Sequence, residues 1–188
     1  MIINVEAGGF NVAASIIDLN HYGKNGASRD EGRFHFLHQV DNLGSEEEKG
    51  KQLDEKLVSG KYLVQSLKVV LRKLKEDGYI TTDVDVLDPN NTWNTEIISR
   101  ILTNNSEIRN LFNEQDWDYV QEACQLLRGL SCQVVAAHFI DALSFIESNQ
   151  LNATTEGSVF WKMPGYEEKL KQILESFGVS QIKIENQR

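Results

Sequence analysis

Glu6 and Glu55 are the side chains with the most chemistry to offer. Glu6, in NVEAGGF, stands where a run of apolar and β-branched residues gives way to Gly8-Gly9. Glu55, in GKQLDEKLVSGKYL, stands in the first turn of a helical pattern. Each has an ordinary explanation: a solvated strand end for Glu6, and attraction to the helix dipole for Glu55. Two carboxylates meeting across a cleft would instead be strong acceptors for sugar hydroxyls, because a hydrogen bond to a charged group contributes about 1.5–3 kcal/mol. Gly157-Ser158, in EGSVFWKMPGY, mark a turn. Such a turn can face backbone N–H groups and a hydroxyl toward a phosphate, or be a tight turn and nothing more.

Other candidates carry less. GSEEEKGKQ looks faintly like a nucleotide-binding phosphate loop, but Gly44 and Gly50 are six apart and Gln52 stands where the metal-binding hydroxyl belongs. Glu46, Glu47 and Glu48 would also repel phosphate. His35 and His38 lack an acid or cysteine cluster at ligand spacing, so no metal site is expected. His138 lies in an apolar helical run and reads as a core histidine. Cys124 and Cys132 are eight residues apart in one helical pattern. A rise of about 12 Å along that helix argues against a disulfide, and buried free thiols are expected. No catalytic residue can be named from these patterns.

Composition narrows the classes. The chain has 188 residues, 40% hydrophobic and 25% charged, which allows one ordinary domain with a sizeable core. The formal net charge is −9, from 28 acidic and 19 basic residues, which speaks against nucleic acid or an anionic membrane as partner. No apolar run approaches the roughly 20 residues of a membrane helix, and MIINVEAGGF does not read as a secretory signal. The expected location is intracellular, cytoplasmic or mitochondrial.

The elements that must position these residues follow from periodicity. Residues 1–19 read as strand, glycine turn, strand. A helix is predicted from about Gln52 to Asp77, with Leu57, Leu63, Leu67, Val70, Leu71 and Leu74 on its apolar side and Gly78 as its stop. One or two helices are expected over 93–112. The longest helical run is 116–147, apolar almost all round in its middle and therefore central. Residues 157–162 read as a strand. MPGYEEKLKQILESFGV is an amphipathic helix with Tyr166, Leu170, Ile173, Leu174 and Phe177 inside, and SQIKIE a final strand. The order suggests an α/β fold.

Three segments together resemble the eukaryotic-type hexokinase family. IINVEAGGF is similar to that family's Asn-x-Glu-Trp-Gly-Ala-Phe pattern. GKQLDEKLVSGKYLVQSLKVVL is similar to its Gly-Gln-Gln, apolar, aromatic, Glu-Lys segment and the Tyr-containing helix that follows. TTEGSVFWKMPGYEEKL resembles its late Asp-Gly-Ser segment, and DWDYVQEACQLLRGLSCQVVAAHFIDAL lies where the family has a long central helix. The resemblance implies an α/β fold: residues 1–188 as a single, partial hexokinase large (C-terminal) domain of the actin-like ATPase, ribonuclease H-like, fold. It implies that Glu6 and Glu55 hold glucose hydroxyls, with Asn4 and Gln52 beside the sugar. It implies that Gly157 and Ser158 contact ATP phosphate.

The departures shape the functional expectation. Ala7 and Gly9 replace family residues in the first motif, Leu130 stands where Arg is usual, and His138 and Asp141 replace small residues. In the family, the catalytic Asp and the small domain precede the segment matched here, and an adenosine-contacting Gly-Ser-Gly segment follows a strand like QIKIE. The leading expectation is therefore a noncatalytic, structural subunit of a larger assembly. The alternatives are half of a split hexokinase that phosphorylates a hexose with ATP, and a hexose-binding sensor. ATP-Mg would be a cofactor only with a partner supplying the missing half. A protein partner or self-association is expected to cover exposed apolar surface.

Overall fold

The computed structural model describes residues 53–83 and 94–186. The predicted strands and turn of residues 1–19, with Asn4 and Glu6, lie outside the described residues, as do His35, His38 and Gln52.

The helix expected over 52–77 forms in two pieces, α1 (Leu53–Val58) and α2 (Gly60–Glu76). Ser59 between them is extended, with φ −81° and ψ 145°. Its carbonyl accepts the N–H groups of Tyr62 and Leu63 and so starts the second helix afresh. The apolar spacing holds across the break: Leu57, Leu63, Leu67 and Leu71 are buried. Gly78 closes α2 in the left-handed region.

Asn94 and Asn105 cap two short helices, α3 (Thr95–Leu102) and α4 (Ser106–Arg109), each accepting a backbone N–H of the first turn. Ile97, Ile98, Ile101 and Ile108 turn inward. Asn113 caps the 32-residue α5 (Glu114–Phe145) in the same way, through the N–H of Asp116. This is the long helix the sequence predicts.

Helices α1, α2, α3 and α7 and strand β1 all pack on α5. Trp117, Val120, Cys124, Leu127, Cys132 and Ala136 line its covered side. The two cysteines are buried and free, as expected. Among the described residues, Leu126 and Phe145 of this helix are exposed. Against the expectation of no such run, α5 is long and apolar enough to cross a membrane, with an 18-residue stretch of mean hydropathy 1.3. Length and composition alone decide that test, and a core helix that carries its neighbours on several sides passes it too.

The C-terminal part is a β-α-α-β unit. Strand β1 (Gln150–Thr155) pairs in parallel with β2 (Ser180–Asn186), and α6 (Ser158–Lys162) and α7 (Tyr166–Ser176) make the crossover. Two expectations are corrected here. Residues 158–162 are helical, not a strand, and the strand is the preceding QLNATT. Val159, Phe160 and Trp161 have strand-type composition, but one helical turn buries Phe160 edge-on against Trp161 and Tyr166. Tertiary packing overrides propensity there. Phe177, expected inside, lies just past the end of α7 and is exposed. Tyr166, Leu170 and Leu174 are buried as expected, and the SQIKIE strand forms.

Candidate functional site

Glu55 sits half-buried on α1, a six-residue helix that packs against α2 and α5. Its backbone carbonyl accepts the Ser59 N–H at 2.8 Å, the last bond before the chain breaks helix. The neighbouring Lys56 is buried, with Nζ 5.9 Å from the centroid of the Tyr62 ring. Lys61 Nζ approaches the same ring at 4.8 Å. A cation over an aromatic face is favourable, and two of them fix the Tyr62 ring beside the Glu55 helix.

The second candidate segment begins where β1 ends. Gly157 caps α6 with φ 108° and ψ 145°, and no side chain caps that helix. Ser158 is exposed at its first position. Trp161 donates its indole N–H to the Thr155 carbonyl at 3.3 Å, which folds the turn back on the end of β1.

Gly60 is where the two segments meet. A Cβ at this position would lie 2.8 Å from Thr95 Oγ1, 3.2 Å from Thr95 Cγ2 and 3.2 Å from Val159 Cγ2. The start of α2, the start of α3 and the first turn of α6 therefore converge on a point with no room for a methyl group. Glu55 is five residues before that point, and Ser158 is next to Val159. The structure thus seats Gly60, five residues after Glu55, against Thr95 and Val159. Asn4, Glu6 and Gln52 lie outside the described residues.

The corner after α6 is fixed from α5. Arg128 Nη1 donates to the Pro164 carbonyl at 2.7 Å. Gly165 adopts φ 70°, and a Cβ there would stand 2.7 Å from the same guanidinium nitrogen. Only glycine meets both conditions without strain. Ser131 Oγ and the Tyr166 hydroxyl share a hydrogen bond of 2.8 Å, and the Cys132 thiol donates to the Tyr166 carbonyl at 3.6 Å. Burial pushes the Cys132 thiol up to about 12, against the pull of Arg128 and Lys169, and pushes Cys124 and Tyr166 up as well. These groups stay neutral and serve packing rather than nucleophilic chemistry.

A carboxylate that pattern reading passed over is Asp116. Its Oδ2 accepts from the N–H groups of Thr81 and Thr82 at 3.0 and 2.8 Å, and from their hydroxyls at 3.0 and 2.7 Å. Burial works against its charge, but the bonds from Thr82 and Thr81 outweigh it and hold the carboxyl at about 2. A general base needs affinity for a proton near the working pH, so Asp116 is an anchor and not a base. The signals for these missed residues were slight. Gly60 is an isolated glycine in a helical pattern, which points to close packing. Asp116 stands three residues after a capping Asn.

Among the described residues no group of three or more His, Cys, Asp or Glu is placed to hold a metal ion.

The Hexokinase family model matches residues 1–187 of the chain. Among curated proteins, none matches it. Among solved structures it is similar to the hexokinase from Schistosoma mansoni complexed with glucose. The TM-score is 0.60, with 16% identity over 84% of this chain. At that identity the likeness is one of fold. The chain spans 39% of that hexokinase.

Proposed function

The chain belongs to the hexokinase family, and from that premise we propose that it works as a noncatalytic, structural subunit of a larger assembly. It would supply the large-domain side of a sugar-binding cleft. The observation that carries this reading is the apolar surface that α5 exposes among the described residues. The helix on which α1, α2, α3, α7 and β1 pack leaves Leu126 66% and Phe145 83% exposed. Leu130, Val134 and Ala137, between them, are only half-buried. Apolar surface on a core helix calls for a partner. The polar substitutions on the same helix are Asp141, which is exposed, and His138, which is buried. Copurification tests it. A stoichiometric partner that is retained by the natural chain and lost with Leu126→Glu supports the subunit role, whereas a monodisperse monomer that captures nothing argues against it.

The sugar site is the second part of the reading. Glu55, with Glu6, Asn4 and Gln52, would hold hexose hydroxyls. Calorimetric titration of glucose into the chain tests this, with Glu55→Gln as control. Saturable binding that is lost in the variant supports it. No heat at millimolar glucose from a folded sample would sink it.

The convergence at Gly60 favours a second reading, in which the chain is half of a split hexokinase phosphorylating a hexose with ATP. The uncapped start of α6 and the open space around Gly157 suit an anion. Gly157 and Ser158 would hold ATP phosphate there, and ATP-Mg would supply the phosphoryl group. Glu55 orients the sugar, and Asp116 takes no part. ATP-dependent hexose phosphorylation that appears only when a partner with an Asp-containing small domain is added would establish this second reading.

A further inference from the structure

The chain carries a net charge of −9, yet one flank of α2 is basic. Lys68, Arg72 and Lys75 follow at four- and three-residue spacing and so share a face, to the side of the buried Leu63, Leu67 and Leu71. Arg72 and Lys75 are exposed and Lys68 is half-buried. The row is about 10 Å long at the rise of a helix. Each of the three has a partner within its own chain: Lys75 meets Asp83 at 3.1 Å, and Lys68 and Arg72 are engaged as well. Those partners do not exhaust them, because a lysine offers three donors and an arginine five. An exposed pair such as Lys75–Asp83 also costs little to exchange.

Helix α5 carries the complement. Glu114, Asp118 and Glu122 recur every four residues, all exposed. They form a row of about 12 Å. The helix dipole accounts for Glu114 in the first turn, but not for Glu122, which stands beyond it. The two rows adjoin at one corner. The Tyr79 ring, just past the end of α2, packs on Tyr119 of α5 with 5.7 Å between centroids. Asp116 and Asn113 hold Thr81 and Thr82 at the same place. Among the described residues, Tyr79 is 52% and Leu111 43% exposed there, Leu111 standing two residues before the Asn113 cap. Apolar side chains at the centre and charge at the rim are the anatomy of a protein interface.

We propose that this corner joins two copies of the chain, the basic row on α2 of each lying against the acidic row on α5 of the other. The occupant follows from the rows themselves: one chain carries both, at matched length and opposite sign. A twofold axis beside Tyr79 repeats every contact, so each copy gives one row and receives one. Tyr79 and Leu111 lose water at the centre. Two copies at −9 repel one another elsewhere, which confines close approach to the one register where the signs alternate. The inference uses none of the sugar-site or phosphate-site residues and stands whether or not those sites bind.

Sedimentation equilibrium on the full chain tests this, with the melting temperature read on every sample. The natural chain should dimerise at about 0.1 M salt and bind itself at least about tenfold more weakly at about 0.5 M, where exposed charges are screened. Arg72→Glu with Lys75→Glu should be monomeric, and so should Asp118→Lys with Glu122→Lys. Mixed in equal amounts, the two variants should form a one-to-one dimer, because each then offers the row that the other lacks. A natural chain that stays monomeric overturns the proposal. So does association that salt and both reversals leave unchanged, since the contact would then lie on another surface. A mixture that stays monomeric although both variants melt near the natural temperature overturns it too, as does growth past the dimer. Should a reversal fail to fold, Tyr79→Ser decides: self-affinity at least tenfold weaker in a folded sample supports the proposal, and natural affinity overturns it.

Discussion

The Asp116 clamp and the Gly60 junction both tie distant parts of the chain together, by opposite means. At Asp116 one carboxylate oxygen gathers four donors from Thr81 and Thr82, 35 and 34 residues away. Asn113 adds a bond from its amide to Thr81 Oγ1 at 3.1 Å. At Gly60 nothing polar is exchanged: three helix starts meet because one residue has no side chain. The first is directional, and its charge makes it depend on pH. The second is steric and indifferent to pH. The clamp holds the start of the central helix, and the junction holds the candidate ligand segments.

Substitutions can break that contrast or sharpen it. The largest expected effect is Asp116→Ala, which strands four donors and should cost about 2–3 kcal/mol. Thermal unfolding would show it as a fall of roughly 4–12 °C in Tm for a chain of this size. If Gly60→Ala cost more than Asp116→Ala, the ranking of polar over steric anchoring would be wrong.

Acid should act on the clamp alone. Asp116 has a folded-state pKa of about 2 against an ordinary 3.8. Its contribution is therefore fully present above about pH 4 and is lost as pH falls toward 2. Unfolding free energy measured from pH 5 to pH 2 should drop less steeply in Asp116→Asn than in the natural chain. Gly60→Ala should keep the natural slope.

Gly60→Ala itself should cost about 1–2 kcal/mol, a strain penalty reduced by alanine's better helix propensity. Denaturant titration would read this as a lower midpoint with unchanged m-value. Smallest of all, Thr82→Val removes one hydroxyl bond and keeps the backbone N–H, for about 1 kcal/mol. An effect as large as that of Asp116→Ala would mean that Thr82 carries the clamp by itself.

Both regions depend on long-range contacts, and that separates what the sequence reveals from what it hides. The apolar period of α5, the Leu63-Leu67-Leu71 stripe of α2 and the Tyr166-Leu170-Leu174 face of α7 are local, and all were legible. So was β2, where Ile182 and Ile184 alternate with polar residues. Strand β1 was not, because Asn152 and Thr154 face outward and only Leu151 and Ala153 face in. A strand with so little apolar signal reads as loop. The turn of α6 misled in the other direction, its Val-Phe-Trp run serving a helical turn. In the candidate site, Glu55 became distinctive only through resemblance to a family. Its ordinary role at a helix start looks the same in sequence. Gly60 and Asp116 owe their roles to partners on other elements, and no spacing rule announces those.

The break at Ser59 has a kinetic consequence. A helix of six residues is far too short to persist in water by itself, so α1 is held only by its neighbours. The backbone bonds of α1 should therefore open in a small excursion that leaves α2 intact, with a protection factor well below that of Leu67 or Leu71. Amide exchange near residues 56–59 then becomes a local meter. A sugar that engages Glu55 would slow those few amides before any global property of the protein changed.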